Sequence, residues 1–180
     1  MEIKEKTYYQ FYIYNGKIIN LKKKYVFLPN GKIALREIIE HSGGVGILAI
    51  NDNDEIILVE QYRAAINRLL LEIPAGKIEP NENPKECARR ELREETGYDT
   101  KELRYLGKFY PSPGYTNEII HLYLATGLFY HPLNPNDEEF FNIKLLPLKE
   151  ARDFVYDIDP VDAKTAIAIL KYLERINYKI

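Results

Sequence analysis

The stretch from Asn83 to Gly97 constrains the fold of this chain most, because it carries both the start and the stop signal of a helix. Asn83 can cap the first turn with its side chain, and Pro84 suits the first helical position. Glu86 follows three residues after Asn83, which is the spacing of a capping box. Gly97 stands where helices commonly end in a left-handed residue. The sequence therefore predicts a helix from Asn83 to Thr96.

Three carboxylates crowd one side of this predicted helix. Glu91 and Glu95 are one turn apart beside the apolar strip formed by Ala88 and Leu92, and Glu94 is next to them. Like charges at this spacing repel one another, and a divalent cation such as Mg²⁺ relieves the repulsion. The alternative is a solvated helix face on which the arginines of the same helix neutralise the acids. Those arginines are Arg89, Arg90 and Arg93.

The wider segment favours the metal site. It reads Gly76, five residues, Glu82, seven residues, and then Arg90-Glu91-Leu92-Arg93-Glu94-Glu95-Thr96-Gly97-Tyr98. This resembles the Nudix box, the signature of the Nudix hydrolases, with one departure: the last position is usually aliphatic and here is Tyr98. The resemblance implies the Nudix fold, in which a mixed β-sheet is sandwiched between helices. It also implies Mg²⁺-dependent cleavage of a pyrophosphate bond, with Mn²⁺ as an alternative and two or three ions per site.

The resemblance extends beyond the box to the ADP-ribose pyrophosphatase branch of that family. Glu60–Arg63, Leu71–Lys77 and Leu28–Lys32 are similar to segments of that branch. Pro113, sixteen residues after Gly97, matches its proline beyond the box. The implied reaction is hydrolysis of ADP-ribose to AMP and ribose 5-phosphate.

The family pattern assigns the metal ligands and the catalytic acids by position. The expected metal ligands are Glu91, Glu95, the backbone carbonyl of Ala75 and, in an assisting role, Glu94. An acidic run stands where the branch carries a catalytic acidic loop, and it supplies candidates to orient or deprotonate the attacking water. Glu139 is the first candidate, followed by Glu138 and Asp137, with Glu94 as a further catalytic candidate. The alternative for this run is a solvated acidic turn.

Substrate contacts and structural roles are expected from two further sets of residues. The expected substrate-binding residues are Arg63, Arg36, Pro113 and Glu118. Arg63 follows an apolar strand and suits a phosphate clamp, the alternative being a surface arginine. The expected structural residues of the motif are Gly76, Glu82, Arg90 and Gly97. Arg90 is expected to pair with Glu82 and hold the loop against the helix, while Gly76 and Gly97 are expected to supply positive φ angles in turns.

The rest of the chain predicts strands mixed with two further helices, from Leu148 to Tyr156 and from Asp162 to Arg175. The predicted strands are Tyr8–Tyr14, Lys17–Leu21, Lys24–Leu28, Ile33–Ile39, Val45–Ile50, Glu55–Gln61, Leu69–Ile73, Tyr105–Tyr110, Ile119–Leu128 and Ile143–Pro147. A Pro74-Ala75-Gly76 turn is expected to close the seventh. Because helices and strands do not alternate strictly, the pattern favours the α+β class. We expect an N-terminal antiparallel β region over residues 1–42 and a hydrolase domain over residues 43–180.

Charge and composition exclude several classes of protein. The chain has 180 residues and a formal net charge of −2, so no basic field is present to hold a nucleic-acid backbone. Its one cysteine, Cys87, excludes an intramolecular disulfide and a Cys-rich metal site. Met1–Gln10 lacks the apolar core of a signal peptide, and no apolar run approaches the roughly 18 residues of a membrane span. We therefore expect a soluble, cytoplasmic protein without nucleic-acid or membrane partners.

The resemblance also implies a partner and leaves alternative substrates open. The branch forms homodimers that exchange N-terminal strands, and adenine then stacks on aromatic side chains near the interface. The aromatic candidates are Tyr8, Tyr9, Phe11, Tyr12 and Tyr14. The alternatives are the same chemistry on another nucleoside diphosphate sugar, a dinucleoside polyphosphate, which Tyr115 keeps open, or an oxidised nucleotide. A non-catalytic domain that senses ADP-ribose is less favoured, because all the carboxylates of the box are present.

Overall fold

The structure is a computed structural model in which residues 3–134 and 140–177 are described. The chain forms two compact units. One contains the chain up to Gly43 together with Tyr110–Ile119, and the other contains Gly44–Phe109 and the chain from Ile120 onward. None of the helices in the described ranges combines the length and the apolar character needed to cross a membrane.

The first unit is built on a three-stranded antiparallel sheet in the order β1-β2-β3. Its strands are β1 Lys6–Asn15, β2 Asn20–Phe27 and β3 Ile33–Glu40. The expected separate strands Lys17–Leu21 and Lys24–Leu28 are wrong, because the ladders to β1 and β3 run without a break through Lys22 and Lys23. All ten residues of β1 are exposed.

The second unit contains a seven-stranded sheet. Its path is β10-β5-β4-β9-β8, with β6 beside β5 and β7 beside β4. The strands are β4 Gly44–Ile50, β5 Glu55–Arg63, β6 Arg68–Glu72, β7 Ala75–Lys77, β8 Tyr98–Phe109, β9 Ile120–Tyr130 and β10 Phe141–Pro147. Strands β4 and β9 are parallel and the other pairs are antiparallel, so the sheet is mixed. The helices are α1 Pro84–Thr96, a 3₁₀ turn at Leu148–Glu150, α2 Ala151–Asp157 and α3 Ala163–Asn177.

Alternation along the buried strand β4 divides the core between the two faces of the sheet. Val45, Ile47 and Ala49 pack in one cluster with the apolar side of α1. Leu48 and Ile50 pack in the other cluster with residues of α2 and α3. Helices therefore cover both faces, which confirms the expected α+β class with a mixed sheet between helices.

Two expected element boundaries are wrong, and both errors lie beside α1. Strand β8 begins at Tyr98, directly after the helix, because its pairing with β9 starts there and not at Tyr105. Ala75–Lys77 forms β7 and not a turn, because its backbone pairs with Gly44–Gly46 of β4. Strand β7 is thereby fixed to the centre of the sheet, opposite the first residues of β4.

Candidate active site

Local signals determine both ends of α1, as predicted. The Asn83 side chain accepts hydrogen bonds from the backbone N–H groups of Lys85 and Glu86, each at 3.0 Å. Pro84 occupies the first turn, and Gly97 ends the helix with a left-handed φ of 76°. The ends fix which residues face the sheet, and Glu91 and Glu95 lie among the buried residues of the helix.

The carboxylates of Glu91 and Glu95 lie against β7. As whole residues, Glu91 and Glu95 are 7% and 5% exposed, and the N–H of Ala75 donates to Oε2 of Glu95 at 2.9 Å. A Cβ atom placed on Gly76 would lie 1.9 to 2.3 Å from the carboxyl atoms of Glu91. The expected reason for Gly76, a positive φ, is wrong: Gly76 is a strand residue whose missing side chain makes room for a carboxylate. Of Gly76 and Gly97, Gly97 adopts a positive φ, as predicted.

The guanidinium of Arg90 joins the loop, the strand and the helix. Its Nε and Nη2 atoms donate to Glu82 at 2.8 and 2.9 Å, and Nη2 also donates to the carbonyl of Lys77 at 3.1 Å. Its Nη1 atom donates to Glu91 at 2.6 Å and to Glu94 at 2.9 Å. The hydrogen bond from Arg90 lowers the pKa of Glu82 to about 2, and the same pairing raises the pKa of Arg90. Both groups are therefore charged at neutral pH.

The other two arginines of α1 are engaged away from these carboxylates. Arg89 contacts Asp99 at 2.7 Å and the carbonyl of Thr100 at 3.2 Å. Arg93 donates to the carbonyl of His131 at 2.8 Å. Arg90 is thus the arginine of α1 that binds carboxylates of the motif, namely those of Glu82, Glu91 and Glu94. The alternative, a solvated face neutralised by all three arginines, is wrong, because Arg89 and Arg93 bind other groups. The excess of negative charge on the side of α1 that carries Glu91 and Glu95 suits a cation.

The residues present fit a hard divalent cation. Mg²⁺ takes one or two carboxylates together with waters and substrate phosphates, and Glu91 and Glu95 are two buried carboxylates beside the backbone of Ala75. Within residues 3–134 and 140–177, no three His, Cys, Asp or Glu side chains converge as a closed metal cluster.

The thiol of Cys87 lies behind this acidic side. It is fully buried and donates to the carbonyl of Lys77 at 3.4 Å. Burial raises the pKa of Cys87, and the negative charges of Glu82 and Glu91 raise it further. Cys87 is therefore a packed, protonated thiol of the helix, and we assign it no role in catalysis.

The residues expected to contact substrate are divided between the two units. In the second unit, Arg63 donates from Nε and Nη2 to Glu72 at 2.6 and 2.7 Å, and its side chain is 38% exposed. In the first unit, Arg36 bonds to Glu5, and Glu118 lies 3.6 Å from Nδ1 of His41.

Pro113, also in the first unit, is exposed in a loop. The loop pairs with the end of β3, since Ile39 donates to the Tyr115 carbonyl at 2.8 Å. The side-chain amide of Asn117, in the same loop, binds the residue after β3, since its Oδ1 accepts from the N–H of His41 at 2.9 Å. The expected catalytic acids Asp137, Glu138 and Glu139 lie outside the described residues.

The buried ion cluster that forms around Glu72 is not among the features predicted from the sequence. Glu72 is 1% exposed and pairs with both Arg63 and Lys164, and Lys164 in turn contacts Asp162 at 3.1 Å. The signal for it was a lone acid in the apolar run Leu69–Ile73, because a fully buried carboxylate requires charged partners. Nothing in the neighbouring sequence predicts that Lys164, 92 residues away, is the second partner of Glu72.

Comparisons with known proteins agree with this geometry. The model of the NUDIX domain matches residues 40–167. The chain is 42% identical over 174 residues to a protein named ADP-ribose pyrophosphatase from Bacillus subtilis (strain 168), covering 96% of this chain and 94% of that protein. It is 40% identical over 179 residues to a protein named methanol dehydrogenase activator from Bacillus methanolicus, covering 97% of each. A crystal structure described as an ADP compounds hydrolase shares the fold with a TM-score of 0.87 at 24% identity, covering 98% of this chain and 96% of that one. With the domain matched around the complete Gly76–Tyr98 motif, this chain belongs to the Nudix family of hydrolases.

Proposed function

We propose that this protein hydrolyses the pyrophosphate bond of ADP-ribose to AMP and ribose 5-phosphate with the help of Mg²⁺. The observation that carries the proposal is the pair of buried carboxylates, Glu91 and Glu95, held against the Ala75–Gly76 strand in a Nudix domain. The similarity to a protein named ADP-ribose pyrophosphatase over nearly the whole chain supports the choice of substrate.

The reaction needs a water, a base and a way to neutralise phosphate charge. Water attacks one phosphorus, the bond from that phosphorus to the bridging oxygen breaks, and the bridging oxygen leaves with the other phosphate. Bound divalent cations neutralise phosphate oxygens and lower the pKa of a coordinated water. Glu91, Glu95, the Ala75 carbonyl and Glu94 are the groups of this chain that would hold them. Glu139 is the proposed acceptor of the water proton, with Glu138 and Glu94 as alternatives.

Arg63 is the proposed clamp for a substrate phosphate. Its pair with Glu72 uses Nε and Nη2, so the Nη1 hydrogens point away from that pair, and the side chain is partly exposed. The bidentate pair holds the guanidinium plane in one orientation, which lowers the entropy lost when a phosphate binds. Arg36, Pro113 and Glu118 stay predicted contacts for the remainder of the substrate.

ADP-ribose should be the best substrate in a panel assayed with Mg²⁺. We expect its kcat/KM to exceed that for GDP-sugars, diadenosine polyphosphates and oxidised nucleotides by at least about tenfold, because a pocket contact discriminates by about 1–3 kcal/mol. Chromatography should identify AMP and ribose 5-phosphate as the products. A higher kcat/KM for another compound would reassign the substrate, whereas binding of ADP-ribose without turnover in Mg²⁺ or Mn²⁺ would support the sensing alternative.

The proposed partner is a second copy of this chain. Every residue of β1 is exposed, and the aromatic rings of Tyr9 and Phe11 lie side by side with centroids 5.7 Å apart. An exposed edge strand of this apolar character favours association through additional strand pairing. We propose that two copies exchange their N-terminal strands and pack against each other at these rings.

The wild-type protein should therefore have about twice the 21.1 kDa mass of the chain in light scattering coupled to size exclusion. Replacing both Tyr9 and Phe11 by Glu should yield monomers, because charged side chains in the interface cost more than they gain. Tyr156→Glu, at an exposed aromatic residue of α2, is the matched control and should remain dimeric. A monomeric wild type, or a doubly substituted protein that stays dimeric, would rule out this interface.

A further inference from the structure

The first turn of α3 is attached to the chain immediately before the Ala75–Gly76 strand. Glu72, three residues before Ala75, receives Lys164 from α3 and Arg63 from the end of β5. The next residue, Ile73, donates its backbone N–H to Oγ1 of Thr165 at 2.9 Å. Two consecutive residues of the segment are therefore fixed by the same helical turn.

The hydroxyl of Thr165 both accepts and donates a hydrogen bond. It accepts from Ile73 and donates to Oδ2 of Asp162 at 2.6 Å. Asp162 also accepts the backbone N–H of Thr165 at 2.9 Å and contacts Lys164 at 3.1 Å, so it caps α3 and orients the lysine. Thr165 is fully buried, and a buried hydroxyl with both partners satisfied has one orientation.

The contacts continue residue by residue up to the acidic helix. The carbonyl of Pro74 accepts from Ile47 of β4 at 2.8 Å, and the N–H of Ala75 donates to the carboxylate of Glu95 at 2.9 Å. Glu72 and Ile73 are thus held by α3, Pro74 by the central strand β4, and Ala75 by α1. A shift at Glu72 or Ile73 would be transmitted to Ala75 over a few bonds.

The ion cluster is stable in its charged form. Burial opposes ionisation of Glu72, but hydrogen bonds from Arg63 and the charge of Lys164 outweigh burial, so the pKa of Glu72 lies below its ordinary value. The ion cluster of Glu72 with Arg63 and Lys164 therefore stays charged throughout the neutral range.

We infer that the first turn of α3, through Thr165 and Lys164, positions the Ala75 strand against Glu91 and Glu95 and thereby sets the affinity of the site for divalent cations. Thr165 is a positioning residue, since it acts through Ile73 and touches neither the cation nor the substrate. The inference rests on the proposed function in placing the cation at Ala75, Glu91 and Glu95. Groups that orient metal ligands from outside commonly change metal affinity by about 10–100-fold.

Thr165→Val should raise the Kd for Mn²⁺ about tenfold in the full chain, measured by electron paramagnetic resonance without nucleotide. Valine keeps the shape of threonine but removes the acceptor of the Ile73 N–H and the donor to Asp162. Thr165→Ser keeps the hydroxyl and should restore the Kd to within about twofold of wild type. Lys164→Met, which keeps the length of the side chain, should also raise the Kd for Mn²⁺. It serves as the test variant if Thr165→Val fails to fold.

Ile169→Val is the control for a merely structural role. Ile169 is fully buried on the same helix, and loss of one methylene lowers stability while leaving the side chains of Thr165 and Lys164 in place. Its Mn²⁺ affinity should equal that of wild type. The inference is overturned if Thr165→Val and Lys164→Met bind Mn²⁺ like wild type, if Ile169→Val weakens binding as much as they do, or if wild type binds no Mn²⁺. A clear effect on Mn²⁺ binding in a protein that does not cleave ADP-ribose would sustain the inference and reject only the proposed substrate.

Discussion

Glu95→Gln should lower kcat/KM for ADP-ribose by at least a factor on the order of 10²–10³ at saturating Mg²⁺, while the protein keeps its fold. The buried carboxylate of Glu95 accepts the N–H of Ala75, and the amide oxygen of glutamine can accept the same hydrogen bond. The substitution therefore removes the negative charge and keeps this hydrogen bond. Groups that stabilise transition-state charge in a buried site contribute about this much to catalysis.

Glu86→Gln is the matched control for this substitution. Glu86 is an exposed acid in the first turn of the same helix, and its loss changes the charge of the helix by the same amount. Its kcat/KM should stay within about twofold of wild type. Near-normal turnover by Glu95→Gln, with thermal unfolding unchanged, would remove Glu95 from the proposed metal site.

Gly76→Ala should lower kcat/KM on the order of a hundredfold with only a small loss of stability. The added methyl would lie 1.9 to 2.3 Å from the carboxyl group of Glu91, so that group must move away. A carboxylate at the end of a flexible side chain moves at little cost to folding, but the site loses one of its two buried acids. A displacement of about 1 Å from the productive geometry can cost about 10² in rate.

A double-mutant cycle on thermal unfolding separates this mechanism from a general defect of the strand. In the Glu91→Ala background the new methyl has room, so Gly76→Ala should lower the midpoint less than it does in the wild-type background. Equal effects in the two backgrounds, or full activity in Gly76→Ala alone, would contradict the displacement of Glu91.

Features encoded by neighbouring residues could be predicted from the sequence. Asn83, Pro84 and Gly97 act within one turn of the helix ends, so both boundaries of α1 followed from the sequence. The helical period then placed Glu91 and Glu95 on one side, next to the strip that packs on the sheet. This spacing alone also fits a solvated acidic face, so the expected chemistry came from the resemblance of the whole Gly76–Tyr98 segment to the Nudix box.

Features that depend on distant partners could not be predicted. The pairing of Arg90 with Glu82 was predicted and is present, but the contacts of Arg89 with Asp99 and of Arg93 with the His131 carbonyl lie beyond the helix and have no local signal. Strand β8 begins among polar and charged residues, and pairing with β9 outweighs their weak strand propensity. The contact of Lys164 with Glu72 joins elements from opposite ends of the domain and has no counterpart in local sequence.

The buried thiol of Cys87 makes this protein a convenient background for site-directed labelling. It is the single cysteine of the chain, it is enclosed beneath the helix, and its raised pKa keeps it as an unreactive thiol at neutral pH. A cysteine introduced on the surface would be the one that reacts with maleimide dyes or spin labels. The proposed dimer and its exchange of strands can therefore be tested by distance measurements without first removing a native cysteine, and storage without a reducing agent should not crosslink the protein.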